Sequence, residues 1–476
     1  MVNFIALGMN KKLLICLVIF STLFTSIAKA QNDSKKTGLP LAQLQQQFVD
    51  LRFGMFIHFN IPTYMDQDWP DPDASPSIFN PAKLNCDQWA QAAKSANMSY
   101  GCLTTKHHSG FCIWDTKTTD YNVMNSPLKR DVVREYTNAF RKAGLKVMLY
   151  YSILDTHHRL RPNMITHKHI EMVKAQITEL LSNYGEISAL IIDGWDAPWS
   201  RISYDDIPFE DIYKLVKSLQ PNCVLMDLNG AKYPAEGLYY SDIKTYEMGA
   251  GQRVSKESNR MPALACLPIN KAWFWKTTFP TEPVKDPAKL VSETINPLNK
   301  VDCNFILNVA PNRDGLIDDN ALAALKQIGQ LWKNEGPVTK LPDLDAPIIA
   351  SNIAKHQPAS SSWGDDDNIM DLANDDDFTT SWVSNKTVEH PWYEIDFDRD
   401  RAFNTISIAE DKANIGKYKL EYYENSTWKP LFDGENSKRV KVNRFNRVWG
   451  SKVRIWIEKS EHQPSITEFG VYDEQR

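Results

Sequence analysis

Between about residues 40 and 340, short apolar runs rich in β-formers alternate with stretches whose apolar residues recur every three or four positions. The runs are RFGMFIHF (52–59), YGCLTTK (100–106), KVMLYYS (146–152), ALIIDG (189–194), CVLMDL (223–228) and NFILNVAP (304–311), with LYYSDI (238–243) and ALACLP (263–268) as weaker members. Unbroken apolar runs are the pattern of strands covered on both faces, and the longer period is that of helices lying on them. From His167 to Gly185, residues Ile170, Val173, Ile177, Leu180, Leu181 and Tyr184 share one helical face, and DVVREYTNAFRKAG likewise stops at Gly144. Strand–helix alternation predicts a parallel sheet, and eight such units over roughly 250 residues are the size of a (β/α)8 (TIM-type) barrel. A doubly wound open sheet is the competing layout, weakened because no Gly-rich phosphate loop follows the first strand.

The pattern changes after NEGPVTKLPDLDAP (334–347), where three prolines interrupt it. Beyond, WYEIDF, TISIAE, YKLEYYE, KVRIWIE and ITEFGVY alternate with period two and predict an antiparallel β-sandwich. At the other end, MNKKLLICLVIFSTLFTSIAKAQ joins two lysines to an apolar stretch closed by Ala28-Lys29-Ala30, the pattern of a cleaved signal peptide. The expected organisation is therefore a signal peptide at 1–30, a barrel at 31–340, a linker at 341–347 and a sandwich at 348–476. Export to the periplasm or the medium follows, with no later segment long and apolar enough to span a bilayer. The six remaining cysteines are scattered through strand-like runs, which fits disulfides or buried free thiols, and their spacing does not suggest zinc. A net charge of −5 without a basic block gives no reason to expect nucleic acid. Fourteen tryptophans and eighteen tyrosines supply flat faces for stacking on sugar rings or for large aromatic cores.

In a barrel, active-site groups sit at the C-terminal ends of the strands. Those ends carry His58, the pair His107 and His108, Tyr150 and Asp155, Asp193, and Asn308. Adjacent histidines still within the pleat would face opposite ways, but at a strand end that turns through Ser109 and Gly110 both can reach one cavity. Asp193 follows an apolar run and precedes Gly194, which places a carboxylate in a partly desolvated mouth. Neutral histidines and a tyrosine suit the many directional bonds that sugar hydroxyls need.

LRFGMFIHFN, LTTKHHSGFCIW, YYSILDTH, IIDGW, WFW and NFILNVAPNRDGLI together resemble the successive motifs of the α-L-fucosidases of glycoside hydrolase family 29, over about residues 45–336. The resemblance implies a retaining enzyme with Asp193 as nucleophile and with His58, His107, His108, Tyr150, His157 and Trp273 around the sugar. It implies a fucosylated glycan as the partner, and no catalytic metal or organic cofactor is expected, because two carboxyl groups can do all the proton and bond work. A retaining glycosidase also needs a second carboxyl group as acid and base. The family usually places it nine residues before the aromatic motif, here Trp273-Phe274-Trp275, and that position is Leu264. Glu247 is the best substitute, with Glu236 and Glu257 weaker; a local insertion could displace the count; or the protein is a weakened, lectin-like sugar binder. The C-terminal region, about 349–473, resembles a coagulation factor 5/8 type C (discoidin) domain, related to family 32 carbohydrate-binding modules. That likeness implies a structural calcium near Asp375, Asp377, Thr380 and Glu468. Trp363 is available there to stack on sugar, whereas Trp382 is expected inside.

Overall fold

The apolar runs form eight parallel strands: β1 (Phe53–Ile57), β2 (Tyr100–Lys106), β3 (Lys146–Ser152), β4 (Ala189–Asp193), β5 (Val224–Asp227), β6 (Lys244–Glu247), β7 (Ala263–Pro268) and β8 (Cys303–Asn308). The structure, a computed structural model, describes residues 38–254, 261–337, 340–365 and 367–475; the expected leader lies outside them. Strand order is β5-β4-β3-β2-β1-β8-β7-β6, so β1 pairs with both β2 and β8 and the sheet curls into a barrel. The strands are buried almost throughout, because helices cover the outside and Phe56, Tyr100, Tyr150, Ile191, Met226, Leu264 and Ile306 fill the inside.

Local chemistry sets where the covering helices start. Asp131 accepts the Arg134 N–H at 2.8 Å to open the helix Val132–Lys142, and Asn85 accepts the Gln88 N–H at 3.1 Å to open Cys86–Ser95. Further helices, His167–Asn183, Phe209–Leu219 and Asp319–Leu331, follow β3, β4 and β8. Among the described residues no α-helix joins β5 to β6; only a 3-10 turn, Gly230–Lys232, lies there.

The barrel has a seam at the same place, since β5 and β6 share no strand ladder among the described residues. Side chains bridge it. Buried Asp242 accepts the Leu225 N–H at 2.9 Å while its own N–H donates to the Leu225 carbonyl at 2.8 Å. Its carboxylate also takes Lys217 Nζ at 2.6 Å and the Tyr213 hydroxyl at 2.8 Å. This corrects the expected strand at LYYSDI. Tyr239 instead bridges to Ile348 and Asp242 serves the seam, so the sixth strand begins only at Lys244.

The C-terminal region is antiparallel, with β9 (Ala359–Ser361), β10 (Trp382–Val383), β11 (Trp392–Ala409), β12 (Ile415–Glu424), β13 (Thr427–Glu435), β14 (Val440–Ser460), β15 (Ser465–Ile466) and β16 (Glu468–Tyr472). The main sheet runs β13-β12-β14-β11-β16, with β9 on β11 and a separate β10–β15 pair. WYEIDF and TISIAE, read as two strands, are one: β11 continues through register shifts at Asp396/Arg401 and Phe403/Thr405, where bulges bend it around the core. Trp382 is buried in that core with Tyr393, Phe403 and Phe469, while Trp363 is 67% exposed. Cysteines 86, 102, 112, 223, 266 and 303 are buried free thiols.

Candidate active site

The barrel mouth holds a cavity of about 250 Å3 lined by His58, His107, His108, Asp193, Glu247 and Trp273, together with Phe56, Asp68, Trp69, Trp199, Leu228, Ala250 and Phe274. At about 30 Å3 per water that is the room of roughly eight waters, closer to one sugar ring than to a chain. Parallel strands place these groups together because each contributes its last residues to the same end.

Asp193 closes β4. Its Oδ2 accepts the Tyr150 hydroxyl at 2.6 Å, and its Oδ1 accepts the Asn229 side-chain amide at 3.1 Å. Burial pushes its carboxyl up to about 6, against the pull of Tyr150, Asn229 and the Gly194 N–H. Gly194 has φ of +111°, a conformation that lets the chain leave the strand sharply with the carboxylate still aimed into the mouth. Glu247 closes β6. Burial, then the Asp193 charge, push its carboxyl up to about 7, against a hydrogen bond from Trp273. The two carboxyl groups thus share one cavity, and the Asp193 charge raises the proton affinity of Glu247.

Burial also lowers the histidines, His58 and His108 to about 3 and His107 well below its usual value, so all three are neutral. Their hydrogen bonds fix which nitrogen carries the proton. Asn308 donates its amide to the Trp273 carbonyl at 2.7 Å, which leaves its oxygen, 2.8 Å from His58 Nδ1, as an acceptor. Ser152 donates to the Leu154 carbonyl at 2.9 Å and so accepts from His108 Nδ1 at 2.7 Å. His108 Nε2 is then a bare lone pair 3.8 Å from Asp193 Oδ2. Two acceptors facing each other call for a donor between them, and a sugar hydroxyl is one. Buried His107 Nδ1 has no partner among the described residues.

The paired histidines are held from behind. Gly110, at φ +87°, leads the chain away, and a Cβ there would meet Asp155 Oδ1 at 2.1 Å. Asp155 therefore lies beneath the turn and not in the cavity. It pairs with buried Lys106 at 3.2 Å and accepts from His158. Although burial favours its neutral form, Lys106 and His158 hold its carboxyl well below the usual range.

Three expectations shift on inspection. His157 does not line the cavity: its ring stacks on Tyr121 at 3.8 Å and its Nδ1 lies 2.7 Å from the Pro72 carbonyl, so it braces the loop that carries Asp68 and Trp69. Leu264 lies in mid-strand with 1% exposure, two residues below Cys266, the residue level with Glu247. A glutamate at 264 would point into the apolar barrel interior. Glu236 is bound to Arg439 of the sandwich, at 3.0 and 2.6 Å, and Glu257 falls outside the described residues.

The loop residues of the site were not foreseen. Trp69 and Trp199, 49% and 41% exposed, flank His108 with ring centroids 4.8 and 4.3 Å away, and Asn229 reaches Asp193 from beyond β5. Asp227, at the end of β5, is pushed up to about 7 by burial, although the Tyr204 hydroxyl donates to it at 2.6 Å. In the sandwich, Asp375 accepts the Thr380 hydroxyl at 2.8 Å, the Asp377 carbonyl accepts it at 2.9 Å, and buried Glu468 accepts from Asn352 at 2.8 Å and from the Asp376 N–H at 3.1 Å. These oxygens share one neighbourhood, yet among the described residues no three His, Cys, Asp or Glu side chains form a metal cluster.

The sequence profile of the Alpha-L-fucosidase family matches residues 63–337, and that of the F5/8 type C domain matches 352–469. Alpha-L-fucosidase 1 of Arabidopsis thaliana is 27% identical over 98% of this chain and 94% of its own. Tissue alpha-L-fucosidase of Homo sapiens is 24% identical over 64% of this chain and 72% of its own. Among solved structures, SpGH29 shares the fold with a TM-score of 0.53 at 22% identity, covering 93% of this chain and 99% of that one.

Proposed function

The chain belongs to the α-L-fucosidase family, and from that premise we propose that it is an exported, retaining α-L-fucosidase that frees terminal α-L-fucose from glycans through a glycosyl ester on Asp193, with Glu247 as acid and base. One observation carries this reading: Asp193 and Glu247 line the same sugar-sized cavity, and Glu247 senses the Asp193 charge. Export rests on the leader alone.

With Asp193 at about 6 and Glu247 at about 7, a pH between the two values favours an ionised nucleophile beside a protonated acid. Asp193 Oδ attacks the anomeric carbon, the bond to the leaving oxygen breaks, and Glu247 gives that oxygen its proton. Esterification removes the Asp193 charge. The electrostatic push on Glu247 then disappears, its proton affinity falls, and it is left as the carboxylate that takes a proton from water. Water attacks the same carbon, the ester opens, and the starting charges return. His58, His107 and His108 hold hydroxyls of the sugar throughout, while Trp273 and Phe274 give its apolar face a wall.

Incubation with an aryl α-L-fucoside checks the assignment. Asp193→Asn should lower kcat by roughly 10³-fold or more. Glu247→Ala should lose about 10²–10⁴-fold on natural glycosides, much less on an activated aryl fucoside, and regain turnover with azide. Equal loss on both substrates removes Glu247 from the acid role, and no release from any fucoside by the wild-type protein leaves a sugar binder. We also propose a calcium at Asp375, Asp377, Thr380 and Glu468, where hydroxyl and carbonyl oxygens would complete the shell. Dialysis against EDTA should then lower Tm and CaCl2 should restore it; an unchanged Tm rejects the ion.

A further inference from the structure

Asn229, which donates to the nucleophile, bonds directly to the barrel residues Asp193 and Asp227, but the segment that it opens is gripped by the sandwich. The segment 229–240 crosses the barrel seam without a helix and is gripped from several sides. Phe378 of the sandwich meets Tyr233 edge-on at 5.6 Å and Tyr239 at 5.8 Å. Arg439 binds Glu236 through two hydrogen bonds, and Lys232 reaches both Asp196, three residues beyond Asp193, and Asp376 at 3.7 Å. The Tyr240 N–H donates to the Ile348 carbonyl at 3.0 Å and its hydroxyl to the Ala350 carbonyl at 2.9 Å. From the barrel side, buried Lys244 donates to the carbonyls of Tyr233 at 2.6 Å and Pro234 at 2.8 Å.

Two routes run from this clamp to the nucleophile. Along the backbone, Gly230–Lys232 is one tight turn directly after Asn229, so anchoring Lys232 and Tyr233 fixes where the Asn229 amide points. Through side chains, Tyr240 stacks on Tyr204 at 3.8 Å and 7°, Tyr204 donates to Asp227, and Asp227 accepts the Asn229 N–H at 3.1 Å. The Lys232 and Arg439 ion pairs are equally half-buried and screened, but the Arg439 fork makes two fixed hydrogen bonds, so it and the aromatic contact do most of the orienting.

We propose that the sandwich residues Phe378 and Arg439 are positioning residues of the hydrolytic site, acting through the 229–240 segment to hold Asn229 against Asp193. The proposal rests on Asp193 being the nucleophile. It gives the C-terminal domain a part in turnover that needs no glycan bound to it. The other groups that face Asp193 are Tyr150 from β3, His108 after β2, Glu247 from β6 and Asp227 from β5. None of these is tied directly to Phe378 or Arg439. Because the Asn229 hydrogen bond lowers the proton affinity of Asp193, loosening it should move the acidic limb of activity to higher pH.

The test is kcat and KM against pH for the full-length protein on an aryl α-L-fucoside, for Phe378→Ala, Glu236→Ala, Asn229→Ala and their pairwise combinations, with Tm measured on each. Phe378→Ala should lower kcat by about fivefold with little change in KM, and move the acidic limb up by about half a pH unit. Phe378→Tyr, which keeps the ring, should restore both. Added to Asn229→Ala, the Phe378→Ala change should cost less than about twofold more, since the link is already cut. Glu236→Ala severs the same segment from Arg439 and gives the same readout if Phe378→Ala does not fold. An unmoved acidic limb, or full additivity with Asn229→Ala, overturns the proposal. Activity surviving in Asp193→Asn would instead overturn the nucleophile assignment on which it rests.

Discussion

Asp193 and Glu247 are both carboxyl groups, and their surroundings give them different work. Asp193 receives two side-chain hydrogen bonds that favour its charge, whereas Glu247 faces that charge across the cavity. Activity therefore requires Asp193 deprotonated, which is lost as pH falls through about 6, and Glu247 protonated, which is lost as pH rises through about 7. The kcat/KM profile should be a narrow bell between those values. Asp193→Asn removes the neighbouring charge, so Glu247, followed by carbon NMR of a labelled carboxyl, should titrate lower than in the wild type. The same groups, with Asp227, bind protons more tightly folded than unfolded. Their share of stability should rise as pH falls from about 7 toward the ordinary carboxylate range near 4, against an opposite share from His58, His107 and His108, which resist protonation when folded; urea titrations of the wild type and Asp227→Asn at pH 5 and 8 would isolate the carboxyl part.

Elements carry the next level of control, and the seam between β5 and β6 is the weakest of them. A continuous ladder would share the strain over many backbone bonds, but here one buried carboxylate, Asp242, ties Leu225, Tyr213 and Lys217 together. Asp242→Ala should cost about 3 kcal/mol, because it leaves the Leu225 N–H without its acceptor and Lys217 with only the Cys223 carbonyl, and Asp242→Asn about half as much, both read from the urea midpoint. The seam also marks where sequence pattern stopped being informative. β1 to β5, β7 and β8 were legible because each is an apolar run buried on both faces, and the strand-end rule then found His58, His107, His108 and Asp193, whereas Glu247 came from the need for a second carboxyl group. KTYE was not, since three of its four residues are polar and the better β-formers just before it serve side-chain bridges. Trp69, Trp199 and Asn229 lie on loops, where no period points to them, and counting nine residues back from the aromatic motif lands on Leu264, in mid-strand and facing the barrel interior.

At the scale of the whole molecule, the boundary between barrel and sandwich falls where the barrel lacks a covering helix. Ile348 pairs with Leu238 and Tyr240, Phe378 fills the space beside Tyr233 and Tyr239, and the Arg439–Glu236 fork closes the edge. A barrel stripped of these contacts would expose the backbone of 229–240 and the apolar faces of its tyrosines, both of which cost free energy in water. The two domains should therefore unfold together, in a single calorimetric transition. Cutting the aromatic and ionic contacts at once, with Phe378→Ala and Arg439→Ala in one chain, should lower that transition and split it in two, the barrel melting first because its seam loses its cover. Two transitions already present in the wild type would mean that each domain is stable without the other, and that the interface contributes less than its contacts imply.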